Sequence, residues 1–386
     1  MENSASAPAQ APHLIPDSSV VPENGLLLHV GVFKTGTTAL QEALRAADPQ
    51  LVEQGVLYRG PYSWEWKTLL GLMNANRPGG PWQRLEQDVQ GHEGRVLVSS
   101  ENLCGATPDE AKNVVERLGA GRPVTVLITI RSLSGLLAST WQQLLKRGMH
   151  QPFQDWLEQV FDNVGSPEIQ FWRRNDFPAQ VRKWGSLVGE DNVILAVSDK
   201  NFPTRNLELV EDLLTVPRGT VELRPDTRSN RSMSFAEAEL LRRVNEDLED
   251  RLTKDSYRKL VRLGTFPAMY KTDTGADEPI PLPRWAADAA SEIGRRQAED
   301  LRASRAVLIG DVSALADSKW DVDGPVPEPT TINLATAVAA VNGALLASQR
   351  DLKRQAKAES DAKANGRQRG TVASGAERIR GLLKRP

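Results

Sequence analysis

The stretch that decides the fold is Leu26–Leu44, which reads LLLHVGVFKTGTTALQEAL. Its first part, Leu26–Val32, is mostly apolar, which predicts a strand buried on both faces of a parallel sheet. Gly31–Gly36 then interrupts the apolar run, and Thr37–Leu44 continues with helix-forming residues. A strand, a tight glycine turn and a helix together make a cradle for an anion, because the turn's N–H groups and the helix N-terminus point at one place.

The side chains of the turn strengthen this interpretation. Lys34 brings a full positive charge to the edge of the cradle, and Thr35, Thr37 and Thr38 add hydroxyl donors. In the loop of nucleotide triphosphatases, G-x-x-x-x-G-K-[ST], the lysine follows the last glycine. Here the lysine stands two residues before Gly36. The loop is therefore of a phosphate-binding type that differs from the triphosphatase version.

Composition narrows the class of protein. The chain has 386 residues and a formal net charge of −2, so nothing indicates nucleic-acid binding. A single cysteine, Cys104, excludes an intrachain disulfide and a cysteine-based zinc cluster, and fits a reducing, cytoplasmic location. The four histidines are scattered without metal-ligand spacing, so we expect no metal site.

Strand-like and helix-like segments alternate from Gly25 to Val216, which predicts an α/β fold with a central parallel sheet flanked by helices. Beyond Val221 we expect no further strands, only helices, the first of them opened by a capping box at Ser234 and Glu237. The predicted strands are 26–32, 55–58, 95–99, 124–130 and 192–197, and the predicted helices up to Val216 are 37–44, 64–73, 82–89, 109–118, 133–146, 152–161, 176–187 and 207–214.

The chain divides into three parts. Residues 1–24, rich in Ala, Pro and Ser and without Lys or Arg, predict a disordered leader. Residues 25–320 form the predicted main domain, and residues 321–386 a linker, an alanine-rich helix over 332–352 and a basic tail. The tail, 353–386, holds ten basic and three acidic residues, a net charge of +7. It predicts either weak contact with an anionic surface such as a membrane, or a solvated, partly disordered end.

A second candidate anion-binding element follows the strand Val124–Ile130. Arg131 ends this strand, and Ser139 lies eight residues later, about two helical turns along. A helix there would bring a guanidinium and a hydroxyl round one phosphate, which arginine grips in a bidentate way. The alternatives are a surface salt bridge for Arg131 and, for Ser139, a hydroxyl that bonds back to its own helix.

Both elements resemble a known family. The motif K-T-G-T-T at Lys34–Thr38 resembles the loop of sulfotransferases that use 3′-phosphoadenylyl sulfate (PAPS), although Phe33 stands where that family usually has proline. The pair Arg131 and Ser139 is similar to the arginine and serine that hold the donor's 3′-phosphate in the same family. The resemblance implies a three-layer P-loop-type fold with further helices at its C-terminal end.

The resemblance also implies a reaction. Lys34 would neutralise charge on the transferred sulfuryl group, and the amides of Gly36–Thr38 would hold the 5′-phosphate, without magnesium. The cofactor-binding set is then Lys34, Thr35, Gly36, Thr37, Thr38, Arg131 and Ser139. Glu101, just past a strand end, is our candidate general base, with His29 as its rival. The acceptor would be a hydroxyl on a sugar, a glycolipid or a secondary metabolite.

Two other functions stay open. A P-loop nucleotide kinase would share the glycine turn, but the position of Lys34 and the arginine at the end of Val124–Ile130 argue against it. A non-catalytic relative would bind anionic glycans or a membrane surface through the basic tail. Binding of 3′,5′-bisphosphoadenosine in preference to ATP would distinguish a sulfotransferase from a nucleotide kinase. Deletion of residues 353–386 should abolish the function of a non-catalytic relative, whereas an enzyme should keep its turnover.

Overall fold

The computed structural model of the protein describes residues 15–60, 71, 73, 81–199, 202–223, 232–272 and 278–382. The helix predicted over 64–73 therefore lies almost wholly outside the described residues. The chain forms two compact units. The first comprises residues 1–141, 153–231 and 281–326, and the second comprises residues 142–152, 232–280 and 327–386.

A six-stranded sheet organises the first unit. Its strands are β1 (Leu26–His29), β2 (Val56–Arg59), β3 (Arg95–Ser99), β4 (Val124–Ile130), β5 (Val193–Val197) and β6 (Val307–Ile309). All pair in parallel, in the order β2-β3-β1-β4-β5-β6. The predicted α/β class with a central parallel sheet flanked by helices is confirmed.

The helices were predicted well where their patterns are long. They are α1 (Thr37–Ala46), α2 (Asp48–Glu53), α3 (Pro81–Gln90), α4 (Pro108–Gly119), α5 (Ser134–Leu145), α6 (Phe153–Asp162), α7 (Gln170–Asn175), α8 (Phe177–Val188), α9 (Arg205–Leu214), α10 (Phe235–Leu248), α11 (Lys254–Tyr257), α12 (Phe266–Lys271), α13 (Arg284–Ala303) and α14 (Leu334–Leu382). A π-helical segment, Arg258–Thr265, joins α11 to α12.

The expectation that strands end before Val221 was wrong, because β6 closes one edge of the sheet. It pairs with β5 through Ile194↔Val307 and Leu195↔Leu308. The strand is only three residues long. A run this short shows no alternation of its own, so the pairing is set by the long helix α13 that returns the chain to the sheet.

The sheet is buried on both faces, as the apolar β1 run predicts. Leu27 of β1 pairs with Leu97 of β3, and both share one apolar cluster with Leu127 of β4 and with α1 and α9. Leu26 and Leu28 alternate to the opposite face and are also fully buried. Helix α8 packs against β4 and β5. The loops at the strand ends therefore stand on a rigid support.

Residues 15–24 differ from the predicted disordered leader. Ile15 and Val21 are buried in the same apolar cluster, and the Val21 N–H donates to the carbonyl of Leu213 in α9 at 2.9 Å. Ile15 and Val21 lie in a polar, proline-containing stretch that shows no strand or helix periodicity, so nothing in the sequence indicated that they are buried. In the structure they pack beside α9. The remainder of the leader, residues 1–14, lies outside the described residues.

The second unit is helical. The capping box predicted at Ser234 and Glu237 is confirmed: the Glu237 N–H donates to Ser234 Oγ at 3.2 Å, and the Ser234 N–H donates to Glu237 Oε2 at 2.9 Å. Helix α14 continues through the basic tail to Leu382, well past the predicted end at Leu352. In the described part of the chain, no helix has both the length and the hydropathy that crossing a bilayer requires.

Candidate functional site

Three neighbouring strands deliver the candidate residues to one edge of the sheet. The loop with Lys34 follows β1, Glu101 follows β3, and Arg131 follows β4. Because β3, β1 and β4 are adjacent and parallel, their carboxyl ends meet at one edge of the sheet. β2 and β3 lie on one side of β1, and β4 to β6 lie on the other, so the strand order reverses direction at β1. Open parallel sheets bind their ligands at such a crevice.

The backbone of the β1–α1 loop is tightly wound. Gly31, Lys34 and Gly36 all have positive φ, at 33°, 69° and 85°. Glycine adopts these angles freely, whereas a side chain such as that of Lys34 makes them costly. Such strain persists only where surrounding contacts hold it, and strained residues of this kind cluster at functional sites.

The threonine hydroxyls divide into two groups. Thr35 Oγ1 donates to the carbonyl of Val32 at 2.8 Å and lies 2.7 Å from Thr129 Oγ1 on β4. Thr37 Oγ1 also reaches the Val32 carbonyl, at 3.4 Å. Both threonine side chains are buried, so they fasten the loop to the sheet, whereas Thr38 is exposed.

The N-terminus of α1 is open to solvent. Gly36 is its N-cap residue and supplies no side-chain hydrogen bond, and both Gly36 and Thr38 are exposed. The first N–H groups of a helix have no partners within the helix and carry its positive dipole end. This end of α1 therefore has the N–H donors that the predicted anion site requires, and anion binding there stays a prediction.

Arg131 lies directly against the loop. Its Nη1 donates to the Lys34 carbonyl at 3.1 Å. Its other terminal nitrogen occupies the space above Gly135, in the first turn of α5, where an added Cβ would lie 2.4 Å from Nη2. The bond helps to hold Lys34 in its left-handed conformation and brings a second cation to the cradle. Gly135 was not singled out in the sequence, where it is an isolated glycine in a helix pattern.

Charge interactions place Lys34 within electrostatic reach of both Glu101 and Arg131. Burial lowers the pKa of Lys34, and the neighbouring positive charge of Arg131 lowers it further, while the carboxylate of Glu101 opposes both. Burial also lowers the pKa of Arg131. A lysine in this position is less strongly hydrated than one in water, and so acts more strongly on any anion that reaches it.

Glu101 begins a 3-10 turn, Glu101–Gly105, and two side chains of α8 donate hydrogen bonds to the carbonyl groups of this turn and of the residue after it. Lys183 Nζ donates to the carbonyls of Cys104 and Ala106, at 3.2 and 2.9 Å. Gln180 Nε2 donates to the Cys104 carbonyl at 2.8 Å. Burial lowers the pKa of Lys183 to about 8. These two residues of α8 position the turn, and no sequence pattern links them to Glu101.

Ser139 Oγ donates to the carbonyl of Leu136 at 3.0 Å, within its own helix. This is the backbone bond that the sequence left open as an alternative. Ser139 nevertheless lies one helical turn after Gly135, the residue that Arg131 contacts, and so on the same side of α5. A phosphate between them would have to draw the hydroxyl away from Leu136.

Two further polar residues clamp the loop from β5 and α9. Ser198 Oγ and Asn206 Nδ2 each donate to the Thr35 carbonyl at 3.1 Å. Asn206 Nδ2 is also 3.8 Å from the position that a Cβ on Gly36 would take. The sequence carries no signal for this clamp, because both partners are more than 160 residues from the loop.

Phe33, which departs from the family motif, has a partner of its own. The guanidinium of Arg174 in α7 lies 4.5 Å from the centre of the Phe33 ring. Arg174 also stands next to Gly105, with Nε 3.2 Å from the position of an added Cβ. It thus links the β1–α1 loop to the turn that carries Glu101.

His29 belongs to the core. Its side chain is fully buried, Nδ1 is 2.8 Å from Ser99 Oγ, and Nε2 is 3.4 Å from Thr129 Oγ1. Burial lowers its pKa to about 4. A neutral imidazole sealed beneath the loop has no path to an acceptor hydroxyl, so Glu101 is the better candidate for the base.

His29 makes stability depend on pH. The unfolded chain protonates His29 near its ordinary pKa of about 6.5, whereas the folded protein does so only near pH 4, so stability is lost as the pH falls through this window. We expect about 2 kcal/mol of unfolding free energy from this source to disappear between pH 7 and pH 5. Urea denaturation of wild type and His29→Gln at both pH values measures it, and the variant should show a correspondingly smaller loss. Equal losses would contradict the prediction.

Comparisons with known proteins add a fold likeness. No protein-family model matches the chain, and no curated protein sequence is similar to it. A solved structure, that of a sulfotransferase from Alicyclobacillus acidocaldarius, is 19% identical, covers 61% of this chain and 99% of its own, and has a TM-score of 0.35. At that level the likeness carries no argument about function, which rests on the contacts above. Among the described residues, no group of three or more His, Cys, Asp or Glu side chains is arranged to hold a metal ion.

Proposed function

We propose that the protein transfers a sulfuryl group from PAPS to an acceptor hydroxyl. The observation that carries the proposal is the bond from Arg131 to the Lys34 carbonyl, which brings two cations together at an exposed, uncapped helix N-terminus. A donor with two phosphate groups and a sulfate needs several positive centres within one nucleotide's length. The β1–α1 loop, Lys34 and Arg131 supply them.

The residues present fit such a donor. The N–H groups of Gly36–Thr38 would hold the 5′-phosphate, since a helix N-terminus binds phosphate without a side chain. Arg131, joined by Ser139, would take the 3′-phosphate in the bidentate geometry that a guanidinium favours. PAPS supplies a mixed phosphate–sulfate anhydride whose sulfuryl group is activated for transfer.

The remaining steps belong to side chains of this chain. Glu101 would accept the proton of the acceptor hydroxyl as its oxygen approaches the sulfur. Lys34 would stabilise the charge that builds on the oxygen bridging sulfur and phosphorus. The rigid loop and the fastened Glu101 turn hold these groups in place beforehand, so that little reorganisation accompanies the reaction. Acceptors of the proposed class are hydroxyls of sugars, glycolipids or secondary metabolites.

Binding measurements on Arg131 test the proposal. Wild type should bind 3′,5′-bisphosphoadenosine more tightly than AMP or ATP, with no requirement for magnesium. In Arg131→Ala the affinity for the bisphosphate should fall about 10–100-fold, because a charge-assisted hydrogen bond contributes about 1.5–3 kcal/mol, while that for AMP should change little. Isothermal titration calorimetry with each nucleotide measures both.

Arg182→Ala, at an exposed arginine on α8, is the matched control and should bind both nucleotides as wild type does. An equal loss for AMP and bisphosphate in Arg131→Ala would show that Arg131 only shapes the loop. Tight, magnesium-dependent ATP binding by wild type would favour a kinase instead.

A further inference from the structure

Helix α14 turns its large apolar side chains outward. Six of them have between 50% and 78% of their surface exposed: Leu334, Val338, Val341, Leu345, Leu346 and Leu352. At 100° per residue, all but Leu346 fall in one narrow stripe along the helix. A soluble helix ordinarily places such a stripe against its own core. Exposed apolar patches of this kind mark contact sites.

The opposite side of the same helix is the one that packs within the unit. Thr336, Ala340, Gly343 and Ala347 are all buried. A Cβ on Gly343 would lie 2.5 Å from the carbonyl oxygen of Gly264, so the two backbones are in close contact. Small residues thus fasten α14 to the π-helical segment, and the leucine and valine stripe faces away from it.

Charge along α14 changes abruptly at the end of the stripe. No residue from Leu334 to Gln349 is charged, whereas the segment from Lys353 to the C-terminus has a net charge of +7. The first basic side chains of that segment, Lys353, Arg354 and Lys357, are exposed. An uncharged apolar stripe thus continues directly into a strongly basic segment.

We propose that α14 docks the protein on an anionic lipid surface. The apolar stripe would enter the boundary between headgroups and acyl chains, and the basic segment would lie against the negatively charged headgroups. Neither signal alone gives firm attachment to a membrane, and this helix has both in sequence. Charge complementarity selects the surface, because +7 favours anionic headgroups over zwitterionic ones.

A second copy of the chain is the competing occupant. The three- and four-residue spacing of the stripe also fits the seam of a two-stranded coiled coil. Such coiled coils take their pairing from charged residues that flank the seam, but here the flanks hold Ala335, Ala337, Asn342, Ala344 and Gln349. The one acidic residue at a flanking position, Asp351, already forms an ion pair with Lys259. In a parallel pair the two basic segments would repel each other. Charge therefore favours the lipid surface.

Vesicle co-sedimentation of the full chain tests the proposal. Vesicles of phosphatidylcholine alone should bind weakly, and vesicles of phosphatidylcholine mixed with phosphatidylserine should bind strongly and less so as salt is raised. The double variant Val341→Gln, Leu345→Gln should lower the partition coefficient on mixed vesicles at least ~10-fold, since two exposed anchors are lost. The triple variant Lys353→Gln, Arg354→Gln, Lys357→Gln should weaken binding and reduce its salt dependence.

Val164→Gln, at an exposed valine of the first unit, is the matched control and should bind like wild type. Unchanged binding of the double variant, or equal binding to both vesicle types, would overturn the proposal. So would sedimentation equilibrium showing a dimer that the double variant dissociates, with no vesicle binding; this result would assign the stripe to a second copy. None of these readouts depends on sulfuryl transfer.

Discussion

Replacing Lys34 by alanine is expected to lower kcat for sulfuryl transfer about 10²–10³-fold, the usual loss when one group that stabilises developing charge is removed. The reason lies in the position of the lysine. Burial lowers its pKa, which shows a charge partly stripped of water, and its backbone is held by the Arg131 bond. In the proposed reaction its ammonium would meet the reacting oxygens with little competition from solvent.

A comparison of two Lys34 variants separates the chemical role of this residue from a structural one. Lys34 has φ of 69°, and this conformation is costly for any residue with a Cβ. Lys34→Gly should therefore unfold with about 1 kcal/mol more free energy than Lys34→Ala, although both lack the ammonium group. If both variants fold and both lose transfer although their stabilities differ, the loss of transfer follows the ammonium group and not the stability of the fold.

The measurement combines a radiolabelled-sulfate transfer screen over sugars and phenols with urea denaturation of each variant. Lys112→Ala, at an exposed lysine on α4, is the matched control and should transfer at the wild-type rate. Transfer by Lys34→Ala at the wild-type rate would remove Lys34 from the mechanism. A Lys34→Ala protein that fails to fold would leave Lys34→Gly as the variant to assay.

The sequence predicted those parts of the fold that are set by the hydrophobic pattern of a single short segment. Strands β3 and β4 have continuous apolar runs, and their bounds match the predicted 95–99 and 124–130. β1 begins where it was predicted but ends at His29 and not at Val32, because the chain leaves the sheet for the loop before Gly31. The three candidates Lys34, Glu101 and Arg131 each follow one of these strands. Parallel pairing alone then brings them to one edge, which is why their meeting was foreseeable.

The parts that were missed depend on contacts between distant residues. Gly135 leaves room for the Arg131 guanidinium, and Ser198 and Asn206 clamp the Thr35 carbonyl, yet none has a motif around it. The same holds for Ile15, which is buried in the core from within a stretch that looks disordered. The contacts of such residues depend on the shape of segments far away in the sequence, and this shape cannot be read from a single sequence.

Glu101→Gln is the second substitution with a large expected effect. If Glu101 accepts the acceptor's proton, kcat should fall about 10²–10⁴-fold, because glutamine keeps the size and the hydrogen bonds but takes up no proton. Glu101 follows β3, whereas the amides and the guanidinium that would hold the donor follow β1 and β4. Binding of 3′,5′-bisphosphoadenosine should therefore stay within a few-fold of wild type, and the loss should appear in kcat.

The pH dependence sharpens this test. The Glu101 carboxylate raises the pKa of Lys34, so Glu101→Gln should lower the pKa of Lys34 further. The loss of activity at high pH that accompanies deprotonation of Lys34 should then begin at a lower pH. Steady-state kinetics over a pH series, with Glu93→Gln as the control, measures both effects. Glu93 is exposed and lies two residues before β3 begins, at the end of the strand away from Glu101. A fall in donor affinity equal to the fall in kcat would mean that Glu101 acts only through the charge of Lys34 and does not accept the proton. A wild-type kcat would mean that another group takes the proton.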